Sequence, residues 1–473
     1  MVSPPVNAPH IVIFPFMAQG HTLPLLDLSL ALTTESNVKV TIITTASNAN
    51  SIADHVSEHR TNIHIAAIPF PTIENLPKGC ENTADLPSFD LYIPFLLSTR
   101  KLQSPFEKLL RDMVNSGDPP VCVISDFFFG WTQGVCEAMG VPRLVSHGMG
   151  ALSMAICKSL WVNSSLVKEI DSDTVPIELP GVDPPFTLTK PDVPVMALAA
   201  SDPDEPFTRF IEEAGQGDVN SWGVVLNSFE EMEGSYVPSF ESFYVNGAKS
   251  WCVGPLFLYN DQSDKTVVPL DLNSAIMDWL DHRREDVDSV IYVAFGTQAD
   301  IPDSQLDELA YGLEESGVPF ILVVRSKTWS SPLGNPKGLV VREWVDQRMI
   351  LSHPSVGGFL SHCGWNSVLE SVAAGVPVLT WPMIAEQTLN AKLVADGLGA
   401  GISVRRGRVL EGGEVGVRRE DFCEGVKELM CGEKGREARD RAGELGKMAK
   451  MAVQNGGSSR GNLKKMVAEL CKS

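Results

Sequence analysis

Short, nearly continuous apolar runs alternate along this chain with stretches of helical length. In the first half, HIVIFPF (10–16), VKVTIITT (38–45), NIHIAAIPF (62–70), PVCVISD (120–126), RLVSHG (143–148) and WGVVLN (222–227) are rich in Val and Ile and bounded by turn formers. Runs of that kind predict strands buried on both faces. Between them, TLPLLDLSLAL, a segment around 105–114, and WTQGVCEAMG (131–140, stopped by Gly140) predict helices. Strand–helix alternation of this sort predicts a doubly wound parallel sheet. Two long segments interrupt it. Residues 71–100 are rich in Pro, Asn and acids, and 170–206 are rich in Pro and acids. Their length and composition predict binding loops, the second a lid or pocket wall.

A polar stretch, YNDQSDKTVVPLD, follows WCVGPL and has linker composition. A second alternating set then begins: SVIYVAFG (289–296), FILVVR (320–325), LVVRE (339–343), VGGFLSH (356–362), VPVLTW (376–381) and GISV (401–404). The expectation is two Rossmann-like α/β domains facing across a cleft, over residues 1–245 and 271–455. A linker at 246–270 joins them and a terminal helix occupies 456–473. With 473 residues, the chain can build two cores.

Composition narrows the partners. Net charge is −21, which argues against nucleic acid or an anionic membrane surface. No run reaches the ~18 apolar residues of a membrane span, and MVSPPVNAPHIVIFPF lacks the basic start of a signal peptide. Nine cysteines without a CxxC predict reduced thiols, a cytoplasmic setting, and neither a zinc site nor a disulfide framework. The sequon at Asn163 is then idle. A monomer is expected.

The densest chemistry lies in Trp344–Gln387, WVDQRMILSHPSVGGFLSHCGWNSVLESVAAGVPVLTWPMIAEQ. Its centre is a strand, a turn at Gly364 and a helix stopped by Gly375. His362, Asn366 and Ser367 crowd the start of that helix, where backbone N–H groups and the positive dipole end favour an anion. Glu370, four residues after Asn366, shares their face. Trp344 offers a flat apolar surface with the polar tip of Gln347 nearby. Local N–H groups of this kind reconcile an anionic ligand with an acidic chain.

Over its whole length this stretch resembles the signature box of the plant family-1 UDP-sugar-dependent glycosyltransferases, WxPQ…HxxxGxFxxHCGWNSxxExxxxGVPxxxWPxxxDQ, with a dozen spaced positions in agreement. The resemblance implies a GT-B fold whose last helix crosses back onto the first domain. It implies that Trp344 stacks on uracil, that Gln347 and Glu370 hold the ribose, and that His362, Asn366 and Ser367 hold the diphosphate. Trp365, Glu386 and Gln387 would read the sugar, with glucose favoured by Trp365 and by Gln387 in place of His. The chain has Val345 and Asp346, which flank the uracil platform, where the family usually has Ala and Pro, and Thr297 where the family more often has Ser to meet a phosphate.

His21 follows the first strand and precedes a helix, at the strand edge where doubly wound sheets bind ligands. An imidazole there suits removal of a hydroxyl proton near neutral pH; a turn histidine is the plainer alternative. The resemblance of FPFMAQGHTLPLL to the family's first loop, which holds its base, favours the catalytic role. Asp126 ends a strand at the same edge and would hold the second imidazole N–H, its alternative being a helix cap. His147, also at a strand end, is read as structural or acceptor-side, and Trp279, Phe295 and Trp381 as packing residues.

These parts support one displacement: an acceptor hydroxyl, deprotonated by His21, attacks the anomeric carbon and UDP leaves. The centre inverts, and fixed dipoles meet the leaving charge, so neither metal nor cofactor is expected beyond UDP-glucose as co-substrate. The D-x-D pairs at Asp171/Asp173, Asp202/Asp204 and Asp286/Asp288 read as solvated acids. The acceptor implied is a small lipophilic phenol, with flavonoids foremost; attachment through a ring carbon is an alternative. From other classes, GMGALS (148–153) is a partial dinucleotide-binding match and would suit an NAD-dependent oxidoreductase. A non-catalytic nucleotide-sugar binder is the third reading.

Overall fold

The computed structural model describes residues 8–57, 62–74, 76–168, 172–194, 205–259, 270–297, 301–326, 328–334, 336–405, 408–409 and 415–472. Seven parallel strands form the first sheet: β1 (His10–Phe14), β2 (Lys39–Thr45), β3 (Ile63–Ile68), β4 (Cys122–Asp126), β5 (Arg143–Ser146), β6 (Gly223–Leu226) and β7 (Lys249–Cys252), in the order β3-β2-β1-β4-β5-β6-β7. Six more form the second: β8 (Val290–Ala294), β9 (Phe320–Val323), β10 (Leu339–Val341), β11 (Val356–Ser361), β12 (Val378–Thr380) and β13 (Gly401–Ser403), in the order β10-β9-β8-β11-β12-β13. The alternating apolar runs therefore mark the strands to within a few residues. The inner strands of both sheets are buried on both faces, which is why they read as continuous apolar runs, whereas the edge strands β3, β7, β10 and β13 are partly exposed.

In each sheet the strand order reverses once, between β1 and β4 and between β8 and β11. That reversal opens a crevice beyond the strands' carboxyl ends, where open α/β sheets bind ligands. The helix Gln19–Ser36 leaves β1 at the first crevice and the helix Trp365–Ala374 leaves β11 at the second. The two crevices face each other across one apolar layer. Phe14, Phe16 and Phe129 of the first domain share a core with Trp365, Val368 and Leu369 of the second.

The stretch 246–270 is not linker throughout. β7 lies inside it and completes the first sheet, because Trp251 and Cys252 are buried against the sheet core. Residues 260–269 of that stretch lie outside the described residues. The last helix, Ser458–Leu470, packs Leu463, Met466 and Leu470 against Ile11, Ile13 and Val40 of the first sheet. Arg460 holds Glu35 there with both carboxylate oxygens engaged.

Of the D-x-D pairs, Asp171, Asp202 and Asp204 lie outside the described residues. Asp288 adopts φ 57° at the turn before β8 and faces Arg439 at 3.6 Å, on the sheet edge opposite the crevice. Among the described residues no group of three or more His, Cys, Asp or Glu side chains is arranged to hold a metal. No described helix is long and apolar enough to cross a membrane.

Candidate active site

His21 and Asp126 converge at the first crevice. His21 lies in the first turn of the helix after β1, and Asp126 is the last residue of β4, the neighbouring strand. Their side chains meet at 2.7 Å, Nδ1 to Oδ2. Asp126 is fixed from behind: its Oδ1 accepts the Phe128 N–H at 3.0 Å and its backbone carbonyl accepts from Arg143. It therefore caps its own turn and also pairs with His21, so the two readings of it coexist. Phe16 and Phe128 flank the imidazole, with centroids at 5.4 and 5.5 Å. Burial pulls the His21 pKa down, but the Asp126 charge and hydrogen bond, helped by Glu386, outweigh it and leave the net value raised. With Nδ1–H donated to Asp126, Nε2 is the acceptor left for a proton from the cleft.

The second crevice holds the anion-type site. β11 ends at Ser361, His362 follows it directly, and the chain then turns through Cys363, which takes φ 63°. The left-handed residue is thus Cys363, and Gly364 serves a different purpose. A Cβ on Gly364 would stand 2.6 Å from His362 Nε2, and one on Gly296 would stand 2.7 Å from it. The two glycines make the slot that seats the imidazole. Burial lowers the His362 pKa to about 4, so the ring is neutral near pH 7 and can donate one N–H to a phosphate without adding charge. Gly364 caps the helix Trp365–Ala374 without a side-chain bond. By helix geometry the amides of Trp365, Asn366 and Ser367 lack intrahelical acceptors and can serve an anion. Thr297 is half-buried directly after Gly296, at the end of β8.

Beside this turn, Gln347 Nε2 donates to Glu370 Oε2 at 2.6 Å and to Ser367 Oγ at 3.0 Å. Arg348 Nε reaches Glu370 Oε1 at 3.1 Å. Trp344 is half-buried just before them. The two departures from the signature pattern have structural work: Val345 is buried in the core beside β8, and Asp346 caps the helix Gln347–Leu351 by accepting the Met349 N–H at 3.0 Å. Asp thus replaces a rigid Pro with a hydrogen-bonded cap.

Trp365 does not present its ring to a ligand. It is 2% exposed, and its indole N–H donates to the Asn227 carbonyl of the other domain at 2.8 Å. Its backbone N–H stays at the anion turn. Glu386 is buried, accepts from Asn390 at 3.0 Å and lies close enough to His21 for their charges to interact. Burial raises its pKa, opposed by its own backbone N–H, by Asn390 and by His21. Gln387 spends its amide oxygen on the Met383 and Ile384 N–H groups, which fixes the loop 383–387.

Several cross-cleft contacts escaped the sequence. Asn366 Nδ2 donates to the Gly20 carbonyl at 2.7 Å, tying the anion turn to the loop that carries His21. Asn390, holding Glu386, also pairs with Ser153 of the first domain at 2.6 Å. Arg348 reaches Asp27 at 3.0 Å; an aspartate amid TLPLLDLSLAL was the visible signal. His147 is no acceptor contact. It is 2% exposed and bonds Asp218 at 3.0 Å, within a buried cluster that includes Lys158 and Tyr244. Trp279, Phe295 and Trp381 do pack, against Arg283, Trp381 and Phe422. GMGALS forms no phosphate loop: Glu233 Oε1 accepts the Leu152 N–H at the start of the helix Ala151–Val162, and Trp365 covers Gly150.

Comparison with known proteins places this geometry. Residues 278–415 match the family model described as UDP-glucoronosyl and UDP-glucosyl transferase. UDP-glycosyltransferase 90A1 of Arabidopsis thaliana is 40% identical, over 98% of this chain and 97% of its own. The structure of Glycyrrhiza uralensis UGT73P12, complexed with glycyrrhetinic acid 3-O-monoglucuronide, is similar at TM-score 0.85 and 32% identity, covering 98% of this chain and 96% of that one. Phytolacca americana UGT2, complexed with UDP-2fluoro-glucose and pterostilbene, aligns at TM-score 0.77 and 26% identity, covering 98% of this chain and all of that one.

Proposed function

The chain belongs to the plant family-1 UDP-glycosyltransferases, enzymes of the GT-B fold, and we propose that it transfers glucose from UDP-glucose, with inversion, to a hydroxyl of a small lipophilic phenol such as a flavonoid. One observation carries the reading: the His21–Asp126 pair, 2.7 Å apart, stands across the cleft from the N-terminus of Trp365–Ala374, joined to it by the Asn366–Gly20 bond.

In this reading Nε2 of His21 takes the acceptor's hydroxyl proton as the oxygen attacks the anomeric carbon. Asp126 holds the resulting imidazolium. The UDP leaving group departs to the opposite side, where His362, the amides of Asn366 and Ser367, and Thr297 meet its diphosphate charge. Attack from the face opposite the leaving group inverts the α-linked donor to a β-glycoside. Trp344 forms the uracil platform with the backbone of Val345 beside it, Gln347 and Glu370 hold the ribose, and Glu386 and Gln387 hold the sugar, with Gly364 keeping the turn open. The phosphate is met by dipoles, so no metal is required. Both halves of the site come from one chain, which suits a monomer, and nine free thiols suit a cytoplasmic setting. The pterostilbene on UGT2 supports a phenolic acceptor class.

The decisive experiment is a panel of phenolic acceptors offered with UDP-glucose, UDP-galactose and UDP-glucuronate, with acid treatment of the products. Acid-labile β-glucosides from UDP-glucose are expected, lost in His21→Ala while UDP still binds. Acid-stable products would move the reading to attachment through carbon. Turnover unchanged in His21→Ala would refute the base assignment.

A further inference from the structure

Asp27 is a carboxylate in the wrong surroundings. It lies within the helix Gln19–Ser36 among buried Leu25, Leu26 and Leu28 and is itself 3% exposed. A buried carboxylate is costly unless it is paired. Its close partner comes from the other domain: Arg348 Nη2 at 3.0 Å, with His55 Nε2 a looser neighbour at 3.8 Å.

Arg348 has a second bond, Nε to Glu370 Oε1 at 3.1 Å, and its guanidinium lies over the Phe257 ring at 4.6 Å. A planar fork bonded in two directions and stacked on one face has little freedom left. Glu370 is thus gripped at both oxygens, Oε1 by Arg348 and Oε2 by Gln347. A ribose diol offers two O–H donors and needs both carboxylate oxygens facing it. Gln347 can yield its bond, since Ser367 Oγ is a second partner at 3.0 Å. Arg348 need not yield, because each carboxylate oxygen can accept more than one hydrogen bond.

We propose that Arg348 is a positioning residue that fixes the plane of Glu370 for the donor's ribose and, through Asp27, clamps the helix carrying His21 to the donor site, so that donor affinity and the placement of the base depend on one guanidinium. This rests on Glu370 being the ribose ligand. The Arg348–Asp27 and Arg348–Glu370 bonds lie on opposite sides of the cleft, and the guanidinium is common to both. The donor domain therefore holds the base helix through the same side chain that shapes its nucleotide site.

Calorimetric titration with UDP, together with kcat on the acceptor turned over fastest in the panel above, tests this. Arg348→Met is expected to raise the UDP Kd at least tenfold and to lower kcat. Asp27→Asn leaves Arg348 on Glu370, so the UDP Kd should stay within threefold while kcat falls about tenfold. Adding Asp27→Asn to Arg348→Met should cost no further kcat, because both act through the same clamp. Arg348→Lys should restore less than half of either loss, since one ammonium cannot span both carboxylates. A purely structural role would lower Tm without splitting Kd from kcat. Unchanged UDP affinity in Arg348→Met, or additive kcat losses in the double variant, would overturn the proposal. Glu370→Ala separates the two levels. Weakened UDP binding there with none in Arg348→Met sinks the role of Arg348 alone, and unchanged binding in Glu370→Ala sinks the ribose assignment with it.

Discussion

Asp126→Asn is the most informative single change to the proposed catalytic pair. The replacement is isosteric, and Asp126 is buried, so the fold has no reason to move. The surroundings decide how the amide will sit. Oδ1 accepts the Phe128 N–H at 3.0 Å, so the carboxamide oxygen must stay at that position. Its NH2 group then faces His21 Nδ1 at the place where Oδ2 now stands, 2.7 Å away. A donor facing Nδ1 forces Nδ1 to become the acceptor, and the ring proton moves to Nε2. That is the wrong tautomer for a base whose working atom is Nε2. The counter-charge for the imidazolium is lost as well. General-base catalysis is worth on the order of 10²–10⁴ in rate, or about 3–5 kcal/mol of barrier, and kcat should fall within that range. UDP affinity should not change. The pH profile should move with it. The raised His21 pKa places the acid limb of kcat/KM above the value of an unperturbed histidine, activity being lost as pH falls through it. Removing the Asp126 charge lowers that pKa, so the residual activity should carry its limb at lower pH. Product formation by chromatography from pH 5 to 9, with UDP titration alongside, reads both. Retention of more than about a tenth of kcat, or an unmoved limb, would refute the pairing as the source of base strength.

Three further outcomes follow from other parts of the structure. Lys158→Met strands the fully buried Asp218 with only His147 and Tyr244, which should cost about 3–5 kcal/mol in denaturant unfolding; burial raises the Asp218 pKa but Lys158 and His147 outweigh it and depress it, so the deficit should be full above the usual carboxylate pKa near 3.8 and shrink in acid. Gly150→Ala suits its backbone (φ −73°, ψ 158°) but sets a Cβ 2.7 Å from Glu233 Oε1 and 2.8 Å from the Trp365 ring, and should cost about 1–3 kcal/mol by thermal unfolding. Transfer assayed in excess EDTA should keep its rate; a loss restored by a divalent ion would overturn the dipole account of the leaving group.

Local pattern determined much of this protein. Twelve of the thirteen strands of the two parallel sheets stand out as apolar runs, because strands covered on both faces favour Val and Ile. β7 was hidden because WCVGPL adjoins a polar stretch, and only its pairing with β6 reveals it. The anion turn at His362–Ser367 was likewise visible, since strand, turn and helix start are contiguous in sequence. Tertiary structure decided what distant residues do to one another. His21 and Asp126 stand 105 positions apart and meet because β1 and β4 are neighbours at the reversal of strand order. The indole of Trp365 belongs to the domain interface, which no local signal states. Arg348 joins Asp27 and Glu370 only once the two crevices face each other. Short-range periodicity records which face of an element is buried, while the pairing of charges and aromatic rings across a cleft depends on the docking of elements far apart in the chain.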